Sequence, residues 1–135
     1  MKDKQLIERA VQARDRAYAP YSRFRVGTVL VTKAGVVVGV NVENASFGLT
    51  VCSERNAVAA AVAQGLEPGG LETIVIAAEA PAVVPPCGAC RQVIAEFAAD
   101  DARVLLHNVK NGATEELPFW DLLPHAFRRG SMPRP

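Results

Sequence analysis

The three cysteines of this chain lie in two separate stretches, and any fold in which they act together has to bring those stretches to one place. Cys52 lies in Cys-Ser-Glu-Arg, whereas Cys87 and Cys90 lie in Pro-Cys-Gly-Ala-Cys-Arg-Gln at 86–92. Three thiolates can hold one zinc ion, and a site with only three protein ligands leaves a position for water, as catalytic zinc sites do. We therefore expect a catalytic zinc site with one ion per chain.

Each cysteine stretch is predicted to begin a helix. Cys52 opens an alanine- and valine-rich segment that continues to Gln64, and Cys87 and Cys90 lie at the start of a second predicted helix, 88–99. The N-terminus of a helix carries free N–H groups and a partial positive charge. Both features stabilise a thiolate, which is the form of cysteine that binds zinc.

A zinc ion with three thiolate ligands is a negatively charged unit, so a positive group should lie nearby. Arg55 and Arg91, each close in sequence to a cysteine, are the candidates along with the two helix ends. We expect Arg55 to be the main source of charge compensation.

Glu54 is the candidate general acid and base, because it follows Cys52 by two residues. Water activated by zinc needs a group that takes its proton and returns it to the substrate, and a carboxylate can do both. The alternative is a glutamate that only complements the helix dipole. The presence of the second cysteine stretch favours the catalytic interpretation.

Two other interpretations of the cysteines remain open from spacing alone. Cys87 and Cys90 would form a redox pair in one of them, which leaves Cys52-x-Glu54 unexplained. In the other, His107 or His125 would complete a closed structural zinc site, although neither histidine has a ligand-like spacing.

Length and charge indicate a single domain, 1–135, without general attraction for nucleic acid or membranes. The chain has 135 residues, the size of an ordinary domain. A net charge of +1 gives no electrostatic drive toward DNA, RNA or an anionic bilayer. The polar N-terminus does not resemble a signal peptide, and no apolar run is long enough to span a membrane, so we expect a cytoplasmic protein.

The pattern of apolar residues predicts alternating helices and strands. A helix is expected from Asp3, as its N-cap, to about Tyr18, and valine-rich runs at 28–32 and 36–42 should form a β-hairpin. The second run is apolar at nearly every position, which indicates burial on both faces and helices on both sides of the sheet. This order of elements predicts an α/β fold with three layers, α/β/α. Further strands are expected at 71–78, 103–108 and 114–117, with a helical turn at 118–123.

Two segments each have two interpretations. The polar residues 41–46 follow the second valine run, and they form either a ligand-binding loop at the end of a strand or a solvated loop. Four apolar residues near the end of the chain form either a buried contact between subunits or part of an ordinary core: Phe119, Trp120, Leu122 and Leu123.

At the cysteine stretches the sequence resembles zinc-dependent nucleoside and nucleobase deaminases, whose signature is Cys-x-Glu followed by Pro-Cys-x-x-Cys. Tyr-Ser-x-Phe-x-Val-Gly at 21–27 and Asn-x-Glu-Asn-Ala-Ser at 41–46 precede the cysteine motifs at spacings like those of the small cytidine deaminases. The resemblance runs from about Tyr18 to Phe127. It implies a mixed five-stranded sheet and hydrolytic deamination of cytidine and deoxycytidine to uridine and deoxyuridine, a step of pyrimidine salvage.

The resemblance also implies a role for each matching residue at the reacting centre. Cys52, Cys87 and Cys90 would hold the zinc ion. Glu54 would move protons between water, ring N3 and the leaving amino group.

Other matching residues would bind the nucleoside. Asn41 and Glu43 would bind the ribose hydroxyls, which assigns the 41–46 segment to ligand binding. Phe24 would pack against the base, and the backbone at Ser53 and Cys87 would meet its edge.

Small members of this family assemble as homotetramers with shared active sites, and the resemblance implies the same assembly here. Ala45 and Phe47 would then reach into a neighbour's site, as would Phe127. The family commonly has Ala where this chain has Ser53, which leaves a backbone contact intact. It commonly has Tyr where this chain has Phe47, so any hydrogen bond of that hydroxyl is lost here.

Three other functions compete with a nucleoside deaminase. A nucleic-acid deaminase usually has His as its first ligand and a basic surface, and this chain has neither. A blasticidin-type deaminase shares the three cysteines, but Asn41-x-Glu43 favours a substrate that carries ribose. A non-enzymatic binding module stabilised by zinc would have no use for Glu54.

Overall fold

Three α-helices and five β-strands form the framework of the computed structural model, which describes residues 1–133. The strands form one sheet in the order β2-β1-β3-β4-β5, in which β3 and β4 are parallel and the other neighbours antiparallel. The predicted α/β fold with a mixed five-stranded sheet is confirmed. In chain order the elements are α1 Asp3–Arg14, β1 Val26–Thr32, β2 Gly35–Val40, α2 Ser53–Ala63, β3 Leu71–Ala78, α3 Gly88–Ala95, β4 Ala98–Asn108 and β5 Thr114–Pro118.

One face of the sheet is covered by α1. Alternate residues of a strand point to opposite faces, so β1, β3 and β4 each present some of their residues to this helix. Leu6 and Ala10 of α1 pack with Val29, Val75 and Leu105 of these strands.

The other face is covered by α2 and α3, which gives the predicted three layers. Ala57 and Ala61 of α2 and Ile94 of α3 pack with Leu30 and Ile74 of the sheet. All five of these side chains are buried. Among residues 1–133, no helix combines the length and the apolar character needed to cross a membrane.

The first helix begins and ends differently from the prediction. Its N-cap is Lys2, and Asp3 lies in the first turn, where both carboxylate oxygens accept hydrogen bonds from Arg103 of β4. The predicted Asp3 cap is therefore wrong, because an ion pair with a distant strand occupies the carboxylate. The helix ends at Arg14 rather than near Tyr18. The backbone N–H of Tyr18 donates to the backbone carbonyl of Asn41.

The third helix is shorter, and the fourth strand longer, than the sequence indicates. α3 ends at Ala95, and Ala98 already pairs with Leu71 of β3. The backbone N–H of Leu71 also donates to the carbonyl of Phe97. Alanine has the highest helix propensity, but here the hydrogen bonds offered by a neighbouring strand decide the backbone conformation.

The valine-rich strand β2 is less buried than predicted. Val37 is buried against the α2 side, whereas Val36, Val38 and Val40 are only half-buried. β2 lies at the edge of the sheet, and α1 packs mainly on β1 and β3. Position in the sheet therefore limits the burial of an apolar strand.

The apolar residues after β5 belong to the core of their own chain. Phe119 is fully buried, and Trp120, Leu122 and Leu123 pack against the same cluster. The Trp120 indole N–H donates to the carbonyl of Ala99 at 2.9 Å. Of the two interpretations of this segment, the structure favours the ordinary core.

Gly39 of β2 sets the position of α2, the helix that Cys52 precedes. A Cβ atom at this position would lie 2.5 Å from the carbonyl oxygen of Ser53 and 2.6 Å from the backbone nitrogen of Ala57. Side-chain carbons do not approach backbone atoms this closely, so only glycine permits the contact. The start of α2 therefore rests directly on the strand.

We expect Gly39→Ala to destabilise the protein by about 1–3 kcal/mol, because the added methyl group forces α2 away from β2. Urea unfolding of the purified protein measures this change. Gly48→Ala is the matched control, since nothing lies within 4 Å of a Cβ there, and its effect should stay within about 0.5 kcal/mol. Equal stability of the two variants would contradict the close packing of α2.

Candidate active site

The three cysteine sulfurs form one cluster at the N-termini of two helices. Cys52 is the N-cap of α2, Cys87 is the N-cap of α3, and Cys90 lies in the first turn of α3. The Sγ atoms of Cys52 and Cys87 are 4.0 Å apart, those of Cys87 and Cys90 are 3.3 Å apart, and all three lie within 4.8 Å of one another. A tetrahedral zinc site with Zn–S bonds of about 2.3 Å separates its sulfurs by about 3.8 Å. The cluster therefore fits a zinc ion.

The surroundings of the sulfurs act on their ionisation in opposite directions. Burial opposes ionisation of Cys87, but the backbone N–H groups of Cys90 and Ala89 and the neighbouring thiols outweigh it, so the pKa of Cys87 is lowered. Burial, followed by the negative charge of Glu54, raises the pKa of Cys90 well above its ordinary value. A cation among the sulfurs would favour the thiolate form at both positions.

Arg55 lies beside the sulfur cluster. Its Nη2 is 3.8 Å from the Cys52 sulfur and 3.5 Å from the carbonyl oxygen of Thr50. Hydrogen bonding to Cys52 is the main reason that the pKa of Arg55 is raised, and Cys90 contributes further. Its buried Nε atom has no hydrogen-bond partner within residues 1–133. The guanidinium is thus held beside the sulfurs by its hydrogen bonds to Cys52 and Thr50.

Arg91, the other candidate for charge compensation, donates hydrogen bonds to backbone carbonyls. Its Nε donates to the carbonyl of Pro86 at 2.7 Å, and its Nη1 donates to the carbonyl of Leu122 at 2.9 Å. Arg91 therefore braces the loop before Cys87 against the C-terminal part of the chain.

Neither histidine belongs to the sulfur cluster. His107 lies on β4, and its Nδ1 is 2.8 Å from the Thr114 hydroxyl on β5. His125 is exposed. The only metal-binding group that residues 1–133 contain by proximity of ligand atoms is the set of three cysteines.

Glu54 is buried next to the sulfurs, with 5% of its surface exposed. Its position in the first turn of α2 brings the carboxylate near Cys90, whose ionisation it opposes. The Oε1 atom accepts a hydrogen bond from the Ser53 hydroxyl at 2.5 Å. Ser53 in turn lies 2.7 Å from the hydroxyl of Thr28 on β1. A buried carboxylate therefore lies next to the metal-binding cluster.

Asn41 follows β2 and ties the end of this strand to the segment before β1. Its Oδ1 accepts from the backbone N–H of Val26 at 2.8 Å, and its Nδ2 donates to the carbonyl of Phe24 at 2.7 Å. The side chain is 7% exposed. Asn41 thus fixes the backbone that carries Phe24.

Glu43 holds the same segment from the other side. Its Oε1 accepts from the backbone N–H groups of Tyr21 and Ser22 at 2.9 and 3.1 Å, and its Oε2 accepts from the Ser22 hydroxyl. The Ser22 hydroxyl is the main reason that the pKa of Glu43 is lowered, and both backbone N–H groups add to it against the effect of burial. Glu43 is therefore an anionic acceptor at neutral pH.

Ser22, for which the motif predicts no individual role, completes the hydrogen bonding of Glu43. Besides its bond to Glu43, its hydroxyl accepts from the backbone N–H of Phe24 at 3.0 Å. Arg23 between them has a φ of 58°, so the chain turns sharply there. The only sequence signal for Ser22 was its place in the Tyr-Ser-x-Phe motif.

The predicted aromatic contacts fall on two separate surfaces. Phe47 is 73% exposed and meets the Tyr21 ring edge-on, with ring centres 5.5 Å apart. Phe47, Tyr21 and Glu43 line a cavity of 270 Å³ together with Ser22 and Thr50. Ala45, which precedes this region, is exposed.

Phe127 lies at a different cavity from Phe47. Its carbonyl accepts from the Gln92 side chain at 2.8 Å, and its ring is exposed. It lines a cavity of 830 Å³ between the C-terminal segment and α3. Within one chain, the structure therefore groups Phe47 with Glu43 and places Phe127 elsewhere.

Comparisons with known proteins find relatives along nearly the whole chain. A family model described as "Cytidine and deoxycytidylate deaminase zinc-binding region" matches residues 1–106. A cytidine deaminase of Halalkalibacterium halodurans is 47% identical over 128 residues, which cover 94% of this chain and 95% of the relative. A cytidine deaminase of Sporosarcina psychrophila is 42% identical over 125 residues, which cover 92% and 90%. The crystal structure of cytidine deaminase from Burkholderia pseudomallei has a TM-score of 0.89 and 47% identity, covering 94% of this chain and 100% of that one.

We expect replacement of any one of Cys52, Cys87 and Cys90 by Ser to weaken zinc binding by at least about tenfold, because each removes one of three thiolate ligands. Competition with a coloured chelator measures the affinity. Ala89→Ser is the control, since it lies between two ligands and is itself exposed. A cysteine variant that keeps the wild-type affinity would rule out a three-sulfur site.

Proposed function

The chain belongs to the cytidine and deoxycytidylate deaminase family, and from that premise we propose how its residues perform the reaction. The activity is zinc-dependent hydrolytic deamination of cytidine and deoxycytidine to uridine and deoxyuridine, with release of ammonia. The observation that carries the proposed assignment is the cluster of three sulfurs with the buried carboxylate of Glu54 beside it.

The proposed metal ligands are Cys52, Cys87 and Cys90. A zinc ion held there supplies a Lewis acid that makes water a nucleophile at neutral pH. The chain contributes the two helix N-termini behind the sulfurs and the charge of Arg55, whose Nη2 lies 3.8 Å from Cys52. Arg55 is thus the proposed compensator of the negative charge of the ligands.

Glu54 is the proposed general acid and base. Its carboxylate accepts a proton from the attacking water and delivers it to ring N3 as the new C–O bond forms at C4. Glu54 then takes the proton of the new C4 hydroxyl and passes it to the amino group, so that ammonia leaves as the C4–N bond breaks and the C4 carbonyl forms. Burial of the carboxylate supports this role, because few waters compete for its proton.

Asn41 and Glu43 are the proposed ribose-binding residues. Glu43 is an anionic acceptor with lone pairs to spare, so a ribose hydroxyl can donate to it. The Asn41 amide uses one donor and one acceptor position on the protein backbone and keeps a second of each. Phe24, which Asn41 positions, packs against the base, and the backbone at Ser53 and Cys87 meets the base edge.

The proposed assembly is a homotetramer with shared active sites. Phe47 and Phe127 are exposed large aromatics, and Leu49 beside Phe47 is 65% exposed. Exposed apolar groups that cluster on a surface are typical of contacts with another molecule. Ala45, Phe47 and Phe127 would enter the site of a neighbour, which accounts for Phe47 and Phe127 lying at different cavities of one chain.

We also propose a cytoplasmic place in pyrimidine salvage. Metal-binding thiols persist where the compartment keeps cysteine reduced, and the substrate is a free nucleoside. The net charge of +1 supports a small-molecule substrate over nucleic acid or a membrane surface.

Zinc-loaded wild-type protein should deaminate cytidine and deoxycytidine, whereas Glu54→Gln should be slower by at least about a thousandfold, because the amide cannot accept the proton. Loss of absorbance at the cytidine maximum follows the reaction, and zinc content checks that the variant still holds its metal. No reaction with the wild type would overturn the proposed function. An active Glu54→Gln variant would overturn only the role of Glu54.

A mixing experiment tests the shared site. Phe127→Ala and Glu54→Gln should each be impaired as pure proteins, but oligomers assembled from both should regain activity, since some sites then combine an intact Glu54 with an intact Phe127 from a neighbour. Refolding the two variants together and apart gives the comparison, and light scattering gives the oligomeric state. A monomer, or a mixture no more active than its parts, would contradict the proposed assembly.

A further inference from the structure

We propose that the Ser53 hydroxyl, itself held by Thr28, is a positioning residue that fixes the carboxylate of Glu54 for proton transfer. The inference rests on the proposed role of Glu54 and adds to it a residue whose side chain has no role in the reaction as described so far. Ser53 and Thr28 are both fully buried, and Glu54 is 5% exposed. Two hydrogen bonds connect these side chains, from Thr28 on the central sheet through Ser53 to Glu54 at the start of α2.

The direction of the hydrogen bonds follows from the number of protons. A carboxylate only accepts, so Ser53 donates its single hydroxyl proton to Glu54 Oε1 over 2.5 Å. Ser53 then has only lone pairs left, so Thr28 donates to Ser53 over 2.7 Å. Short hydrogen bonds to a charged acceptor are stronger than neutral ones, and donors in a chain polarise one another.

These hydrogen bonds engage only one of the two carboxylate oxygens of Glu54. Oε1 is held by Ser53, and residues 1–133 offer no second hydrogen bond to the group. The remaining oxygen is free to face water and substrate. A glutamate side chain has several rotatable bonds, and a small displacement of a catalytic group costs much of its effect. Anchoring one oxygen therefore keeps the other in reach of the reacting atoms.

Thr28 gives the anchor its rigidity. It lies in β1, which pairs with β2 on one side and β3 on the other. Groups mounted on paired strands are placed more accurately than groups on loops. The contact also joins the α2 N-terminus to the sheet next to Gly39, so the same layer packing that seats Cys52 seats Glu54.

The test compares Ser53→Ala, Thr28→Val and Thr28→Ser in zinc-loaded protein. We expect Ser53→Ala to lower kcat by about three- to tenfold, the size of one lost hydrogen bond, with KM within about twofold and zinc content unchanged. Thr28→Val, which keeps the shape and removes the hydroxyl, should lower kcat by less than Ser53→Ala does. Thr28→Ser, which keeps the hydroxyl, should have the wild-type kcat. The double variant Ser53→Ala with Thr28→Val should be no slower than Ser53→Ala alone, because both act through one chain.

Thr32→Val is the matched control for loss of a buried hydroxyl. Thr32 lies on the same strand, and within residues 1–133 its hydroxyl bonds only to the turn at Ala34 and Gly35. This variant should lower stability in urea while kcat stays at the wild-type value. A loss of kcat in Thr32→Val equal to that in Ser53→Ala would assign the effect to general destabilisation and overturn the proposal.

A crystal structure of zinc-loaded Ser53→Ala gives a readout that does not depend on turnover. We expect the Glu54 side chain to occupy more than one rotamer or to move by about 1 Å or more. A wild-type kcat, an effect on KM alone, or an unmoved Glu54 would each overturn the proposal. Inactive wild-type protein would instead overturn the proposed function on which it rests.

Discussion

Two helix N-termini meet at three sulfurs, and the rest of the site depends on that meeting. The free N–H groups at the start of α3 help to lower the pKa of the Cys87 thiol, and the start of α2 places the sulfur of Cys52 4.0 Å from it. The two N-termini can meet because α2 and α3 pack on the same face of the sheet, in one hydrophobic cluster. Their meeting also needs α2 to approach β2 more closely than any side chain allows, which Gly39 permits. A zinc ion held by the three sulfurs would favour their thiolate forms.

The proposed ribose-binding region is built by polar side chains that hydrogen-bond to the backbone. Asn41 and Glu43 together accept four hydrogen bonds from the 21–26 segment, and Asn41 donates one in return. Residues 21–25 lie outside the helices and strands, and their turn at Arg23 is in the left-handed region. Side chains proposed to bind ribose thus also shape the loop that carries Phe24. Binding groups placed in this way lose little freedom when a ligand arrives.

Much of the fold was predictable because its signals are local. Apolar periodicity and turn residues located every strand and helix of the sheet layers, and β3 was found at its observed bounds, Leu71–Ala78. The errors have a common cause, which is competition from distant partners. Asp3 forms an ion pair with Arg103 instead of capping α1, and Ala98 pairs with β3 instead of extending α3. β2 is less buried than predicted because it lies at the edge of the sheet. The propensity of a short segment contains no information about a partner that is distant in sequence.

The metal chemistry, the family and the residues that could carry a reaction were predictable from the sequence, because they depend on residue type and on spacings within one turn of a helix. Which of those residues meet follows from the tertiary structure. It separated Arg55, beside the sulfurs, from Arg91, which braces a loop. It joined Thr28 to Ser53 across 25 positions. Contacts of this kind are fixed by how helices pack on a sheet, and packing depends on the whole core rather than on any short stretch of sequence.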